Sequence, residues 1–112
     1  VAVDYQVHRT AVNLAKGYRQ IEKAATALSK GNVDRASNHL SKAADDFATA
    51  VDHAAKAADD ACAAVGKEID KGNADLQKCV TAYANGDTDA AQKDYAKAVE
   101  CYGKALDMID SD

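Results

Sequence analysis

Proline and tryptophan are absent from this chain, and methionine and phenylalanine occur once each. Without proline, no position loses its backbone donor, so helices of any length are permitted throughout. Large aliphatic side chains are also scarce: Leu, Ile, Val and Phe together make up 18 of 112 residues. No apolar run approaches the ~18–20 residues of a membrane span, which excludes a spanning helix. Basic charge is not in excess either. The net charge is −4 and the pI is near 5.2, so the broad basic surface that nucleic acid requires is missing. Motifs are lacking as well. There is no Glu-x-x-His pair, no C-x-x-C-H, no phosphate-cradling glycine loop and no GxSxG. These absences lead to the expectation of no cofactor and no enzymatic activity.

Alanine dominates what is present, and alanine is the best intrinsic helix former. An aliphatic content this low would suggest disorder if it came with high net charge. The net charge is small, however, and the alanines recur on a helical period, so the chain reads as folded around a thin core. A length of 112 residues fits one helical-bundle domain over 1–112. Thin cores in small domains leave stability marginal, which makes self-association a natural supplement.

Sliding the sequence against itself by 55 residues aligns 14–52 with 69–107, with 12 of 39 pairs identical and no gap. Gly17 falls on Gly72, Gly31 on Gly86, Ile21 on Leu76, and Phe47 on Tyr102. Paired glycines and aromatics are not a by-product of alanine-rich composition. The alignment indicates an internal duplication of one helical hairpin.

Heptad stepping supplies the helices. Val7, Ala11, Leu14, Tyr18, Ile21, Ala25 and Leu28 form one stripe, and Ala36, Leu40, Ala43, Phe47, Ala50 and Ala54 a second. Cys62, Gly66, Ile69, Asn73, Leu76, Val80 and Tyr83 form a third. Ala91, Tyr95, Ala98, Tyr102, Ala105 and Ile109 complete the set. The stripes predict helices over 4–30, 33–57, 60–85 and 88–110. Gly31-Asn32 and Asn85-Gly86-Asp87 suit left-handed C-terminal caps followed by N-caps, which makes sequential helices antiparallel neighbours. The fold class is therefore all-α, an antiparallel four-helix bundle of two duplicated αα-hairpins. The middle joint carries no glycine or proline, although Asp59 or Asp60 can cap a new helix. Its alternative is a fused second and third helix and a domain-swapped dimer.

Gly86-Asp87-Thr88-Asp89-Ala90-Ala91 and Tyr95-Ala96-Lys97-Ala98 resemble the turn and second helix of a tetratricopeptide repeat. The 55-residue offset differs from that family's period of about 34, and its Trp and Pro positions are unfilled. The resemblance implies shared hairpin chemistry rather than membership.

Candidate site residues are few. Cys62, Cys79 and Cys101 show no zinc spacing, and hairpin geometry sets Cys79 and Cys101 too far apart to bridge. Three free thiols favour a reducing, cytoplasmic compartment; with no targeting segment visible and Val1 at the start, localisation stays open. His8 and His53 fall at almost the same level of the first hairpin, and Cys62 begins the third helix at that end. These three are the candidate metal ligands, with Asp4 or Asp60 nearby, because imidazole and thiolate suit zinc or copper. The five tyrosines are expected mostly in the core, with Asn73 as an acceptor for a buried hydroxyl. Asp107, Asp110 and Asp112 oppose the dipole of the last helix and read as a solvated tail.

The function expected from this sequence is a non-enzymatic helical-bundle interaction or assembly module that self-associates, its partner being another protein or itself. The alternative is a metal- or small-ligand-binding bundle that uses the open end.

Overall fold

A computed structural model describes the backbone of residues 2–110 and the side chains of 5–109. All of its regular structure is helical: α1 (Ala2–Ser29), α2 (Val33–Lys56), α3 (Asp60–Ala84) and α4 (Thr88–Asp110). Two hairpins, α1·α2 and α3·α4, lie side by side as a bundle with extents of 45 × 20 × 18 Å. Asp4, Asp110 and Asp112 lie outside the described side chains.

The two hairpin turns share one construction. Gly31 (φ 76°) and Gly86 (φ 77°) take the left-handed conformation that only glycine adopts without strain. Beyond them, the Asn32 and Asp87 amides each donate at 2.9 Å to the Ala27 and Ala82 carbonyls, a Schellman closure that satisfies the orphaned helix end. The same two residues then cap the next helix. Asn32 Oδ1 accepts from the Arg35 amide at 3.1 Å, and Asp87 Oδ1 from the Ala90 amide at 3.2 Å.

The middle joint is a break, not a fusion. Ala57 turns extended at φ −73°, ψ 133°. Asp59 Oδ1 then accepts from the Ala61 and Cys62 amides at 2.8 and 3.2 Å, so a new helix starts on a capped end.

Burial follows the expected stripes closely on α2, where Ala36, Leu40, Ala43, Phe47, Ala50 and Ala54 are all buried. On α4, Ala91, Ala98, Tyr102 and Ala105 are buried, and Tyr95 and Ile109 half-buried. On α1 and α3 the expected stripe is buried at Leu14 and Ile21 and at Cys62, Gly66, Ile69, Leu76 and Tyr83, and the buried face extends one position to the side of its other members. Leu14, Gly17, Ile21 and Ala24 are buried, whereas Tyr18 is half-buried and Ala25 exposed. Likewise Ile69, Gly72, Leu76 and Cys79 are buried, with Asn73 and Val80 half-buried. Both extensions bring a glycine to the centre of the seam.

Those glycines explain the middle of the molecule. The Phe47 and Tyr102 rings stack with centroids 3.6 Å apart at 20°. A Cβ on Gly72 would come within 2.6 Å of Tyr102 Cε1, and a Cβ on Gly17 would overlap Cε1, Cδ1 and Cζ of the Phe47 ring. Each glycine is therefore a seat for one ring, and the second ring blocks any retreat. The Tyr102 hydroxyl donates to Asn73 Oδ1 at 2.7 Å, the acceptor expected for it.

Mid-helix Gly→Ala normally stabilises by ~1 kcal/mol, but overpacking a filled core costs ~1–3 kcal/mol. Gly17→Ala and Gly72→Ala are each expected to lower unfolding free energy by roughly 1–2 kcal/mol in urea titrations. Gly103 lies inside α4, and a methyl added there would meet no atom within 4 Å. The same change at Gly103 should gain up to ~1 kcal/mol. A gain at Gly17 would contradict the ring-seat reading.

Candidate functional site

α1 and α2 are joined by two polar rungs. Gln6 Oε1 lies 2.8 Å from His53 Nδ1, and Gln20 Oε1 lies 2.8 Å from His39 Nδ1. The rungs are two heptads apart on both helices, as an antiparallel pair requires, with Asn13 and Asp46 at the level between them. Asn13 and Thr10 are the buried polar residues of α1, and each returns a hydrogen bond at 2.8 Å to a carbonyl four residues back.

This register places the expected metal ligands. His53 pairs with Gln6 and meets the Tyr5 ring edge-on at 6.3 Å. His8 is exposed. Cys62 is buried, its Sγ 3.8 Å from Thr10 Oγ1. His8, His53 and Cys62 share one end of the bundle but point in three directions, and among the described residues no group of three His, Cys, Asp or Glu could hold a metal ion.

The remaining reactive groups are muted by burial. Cys62, Cys79 and Cys101 are unpaired thiols. Desolvation, helped by Asp94, pushes the Cys79 thiol from an ordinary 9.0 up to about 11. Desolvation also raises Tyr102 far above its usual range, and raises Tyr95 and Tyr83. Among the described residues, the Tyr83 hydroxyl is buried without a hydrogen-bond partner. Tyr18 and Tyr95 are half-buried, and Tyr5 is 57% exposed, the one tyrosine outside the packed set.

Two surfaces stand out. The first is a cleft of about 320 Å³ at the first hairpin turn, lined by Lys23, Thr26, Ala27, Lys30, Asn32, Arg35 and His39. Burial first, then Lys42, Lys23 and Arg35, holds the His39 imidazole below its ordinary 6.5. Lys23, Lys30 and Arg35 are ion-paired to no described carboxylate. Sequence reasoning passes over these residues because they match no ligand motif. Comparison with positions 55 further along, Lys78, Asn85, Ala90 and Asp94, is the signal that exposes the contrast in charge.

The second is the seam between α1 and α4, the thinnest of the four lateral contacts. Along the flank of α1 turned away from α2, Val7, Ala11 and Tyr18 are half-buried and Ala25 is exposed. Tyr95, Val99, Leu106 and Ile109 of α4 are also half-buried. The Tyr95 hydroxyl reaches across to the Ile21 carbonyl at 3.3 Å. The α2·α3 seam is fuller, and Gly66 lets the Ala54 methyl approach where a Cβ would stand 2.9 Å away. At the positions 55 residues removed stand Ala11 and Ile109, both bulkier than Gly66 and Ala54 respectively. No protein-family model matches the chain, and neither curated proteins nor solved structures provide a significant match.

Two outcomes follow from the buried hydroxyls and thiol. Tyr83→Phe removes an unsatisfied donor and should leave stability equal or raise it by up to ~1 kcal/mol, whereas Tyr102→Phe breaks a made hydrogen bond and should cost ~1 kcal/mol by urea titration. Raised folded pKa values stabilise the native state below the unfolded pKa and lose that contribution as pH rises through the folded one. For Cys79 that window runs from 9.0 to about 11. Urea midpoints should hold up to pH 8 and fall across the window, and Cys79→Ala should lessen the fall; a flat profile would contradict the burial of the thiol.

Proposed function

We propose that this bundle is a non-enzymatic interaction module, built from two copies of one hairpin, that works by pairing with a second copy of itself along the α1/α4 seam. The observation that carries the reading is the thinness of that seam, on whose two helices Tyr18, Tyr95, Val99 and Leu106 are only half-buried. A two-fold partner would lay its α4 along α1 and its α1 along α4, since isologous contacts use the same patch twice. Charge favours that exchange. α1 carries Arg9, Lys16, Arg19 and Lys23 against Asp4 and Glu22, leaving two positive charges in excess. α4 carries Lys93, Lys97 and Lys104 against Asp89, Asp94, Glu100, Asp107 and Asp110, leaving two negative. Opposite signs steer the encounter, and the half-buried apolar groups supply the area to be removed from water. The muted thiols and phenols are consistent with a non-enzymatic role. Helix-face pairing also fits a core made largely of methyl-sized groups, which gains most from further apolar burial.

Sedimentation velocity from low micromolar to millimolar protein is expected to show a species twice 11.7 kDa that weakens in high salt. Val99→Asp on the seam should shift the midpoint of association at least tenfold upward. A single 11.7 kDa species at every concentration would refute self-association.

A further inference from the structure

The cleft at the first hairpin turn and its counterpart at the second share a backbone setting but differ in charge: the first is basic, whereas in the second Lys78 is offset by Asp87. The second, of about 410 Å³, is lined by Gln77, Lys78, Thr81, Ala82, Asn85 and Asp87. All but Gln77 stand 55 residues beyond a residue that lines the first: Lys23, Thr26, Ala27, Lys30 and Asn32. The shared floor of lysine, threonine and alanine comes from the shared hairpin geometry. The walls differ. Lys30, Asn32, Arg35 and His39 of the first hairpin stand where the second has Asn85, Asp87, Ala90 and Asp94. Three cations and a histidine thus line the first cleft, and one lysine and one aspartate the second.

We infer that the first cleft binds a small phosphate-bearing anion, held by Lys23, Lys30, Arg35 and His39, and that the second cleft does not. Three cations that pair with no described carboxylate line one concavity, in a chain where carboxylates are plentiful. Asp34, in the first turn of α2, is exposed and does not line the cleft. A doubly charged oxyanion accepts charge-assisted hydrogen bonds from lysine and from the planar guanidinium fork. His39 becomes a further donor only on protonation, which burial and then Lys42, Lys23 and Arg35 disfavour in the free protein and which an anion bound beside it would promote. With Nδ1 at 2.8 Å from Gln20 Oε1, a protonated ring keeps Nε2–H for an anion. A cleft of about 320 Å³ lies at the small end of ligand pockets, which run ~300–1,000 Å³, and has room for one or two phosphate groups with a small organic portion. This inference stands apart from self-association, because the cleft lies on the α1·α2 hairpin rather than on the α1/α4 seam.

The test is a ¹⁵N–¹H titration of the whole chain with sodium pyrophosphate, against sodium chloride at matched ionic strength. The expected result is saturable shifts over the end of α1 and the start of α2, with none over 81–90. The variant Lys30→Asn/Arg35→Ala/His39→Asp, which installs the second cleft's residues, should bind at least tenfold more weakly. The reverse graft, Asn85→Lys/Ala90→Arg/Asp94→His, should create saturable shifts at the second turn. Shifts that do not saturate, that chloride reproduces, or that the first variant leaves unchanged would overturn the assignment. If the first variant fails to fold by circular dichroism, the graft decides: no gained binding there overturns it. Sedimentation of the same samples reports on the seam separately.

Discussion

The contact on which the rest of the bundle depends is the stack of Phe47 on Tyr102, one ring from each hairpin, each seated against a glycine of the helix beside it. Aromatic side chains bury far more area than the alanines around them, so in a chain this poor in Leu, Ile and Val these two rings supply much of the apolar burial at the centre. Nearly parallel rings at 3.6 Å forgo the edge-to-face geometry that their quadrupoles favour. What offsets that is removal of both faces from water. Gly17 and Gly72 weaken their helices by ~1 kcal/mol each relative to alanine, and without them neither ring would fit between the helices. The glycines therefore belong to the core even though they contribute no side chain to it.

The same glycines decide how much of the fold is legible from sequence. Hydrophobic periodicity locates α2 and α4 to within a residue or two, because their buried positions carry Ala, Leu, Phe and Tyr. On α1 and α3 the same pattern finds Leu14, Ile21, Cys62, Gly66, Ile69, Leu76 and Tyr83 but misses the adjacent buried row. It counts Tyr18 and passes over Gly17, since glycine scores as a breaker rather than as a core residue. The pattern also puts Ala25 on the predicted stripe, although it is exposed. The joint at 57–59 is ambiguous in sequence because an aspartate cap amid alanines looks the same whether the helix breaks or continues. Asp59 decides it through two hydrogen bonds that only coordinates reveal.

The candidate site is less legible, for a geometric reason. Counting residues from a turn gives the height of a side chain along a hairpin, not its direction around the helix. His8 and His53 do lie at similar heights, but His53 faces α1 through Gln6 while His8 faces outward. A shift of two residues, from His8 to Gln6, rotates the partner by ~200° about the helix axis. The basic cleft is hidden for the opposite reason. Its residues come from both helices at spacings that resemble no motif, and the acidic net charge of the chain conceals a local excess of cations.

Both differences between the halves lie away from the aromatic stack. The centre is constrained by close packing, so Gly17 with Phe47 and Gly72 with Tyr102 tolerate little beyond a hydroxyl, and that hydroxyl is answered by Asn73. The hairpin turns are constrained only in backbone shape, through Gly31 and Gly86. Side chains around each turn face solvent and can change sign without disturbing a Schellman closure made by main-chain groups. The seams are intermediate: Gly66 lets the Ala54 methyl approach between α2 and α3, while the α1·α4 pairing is thinner and has Ala11 and Ile109 at the corresponding sequence positions. A few methyl groups are enough to convert a closed contact into an open one when the whole interface is built from small residues. In such a bundle, the features available for binding are the ones that the central packing leaves unspecified.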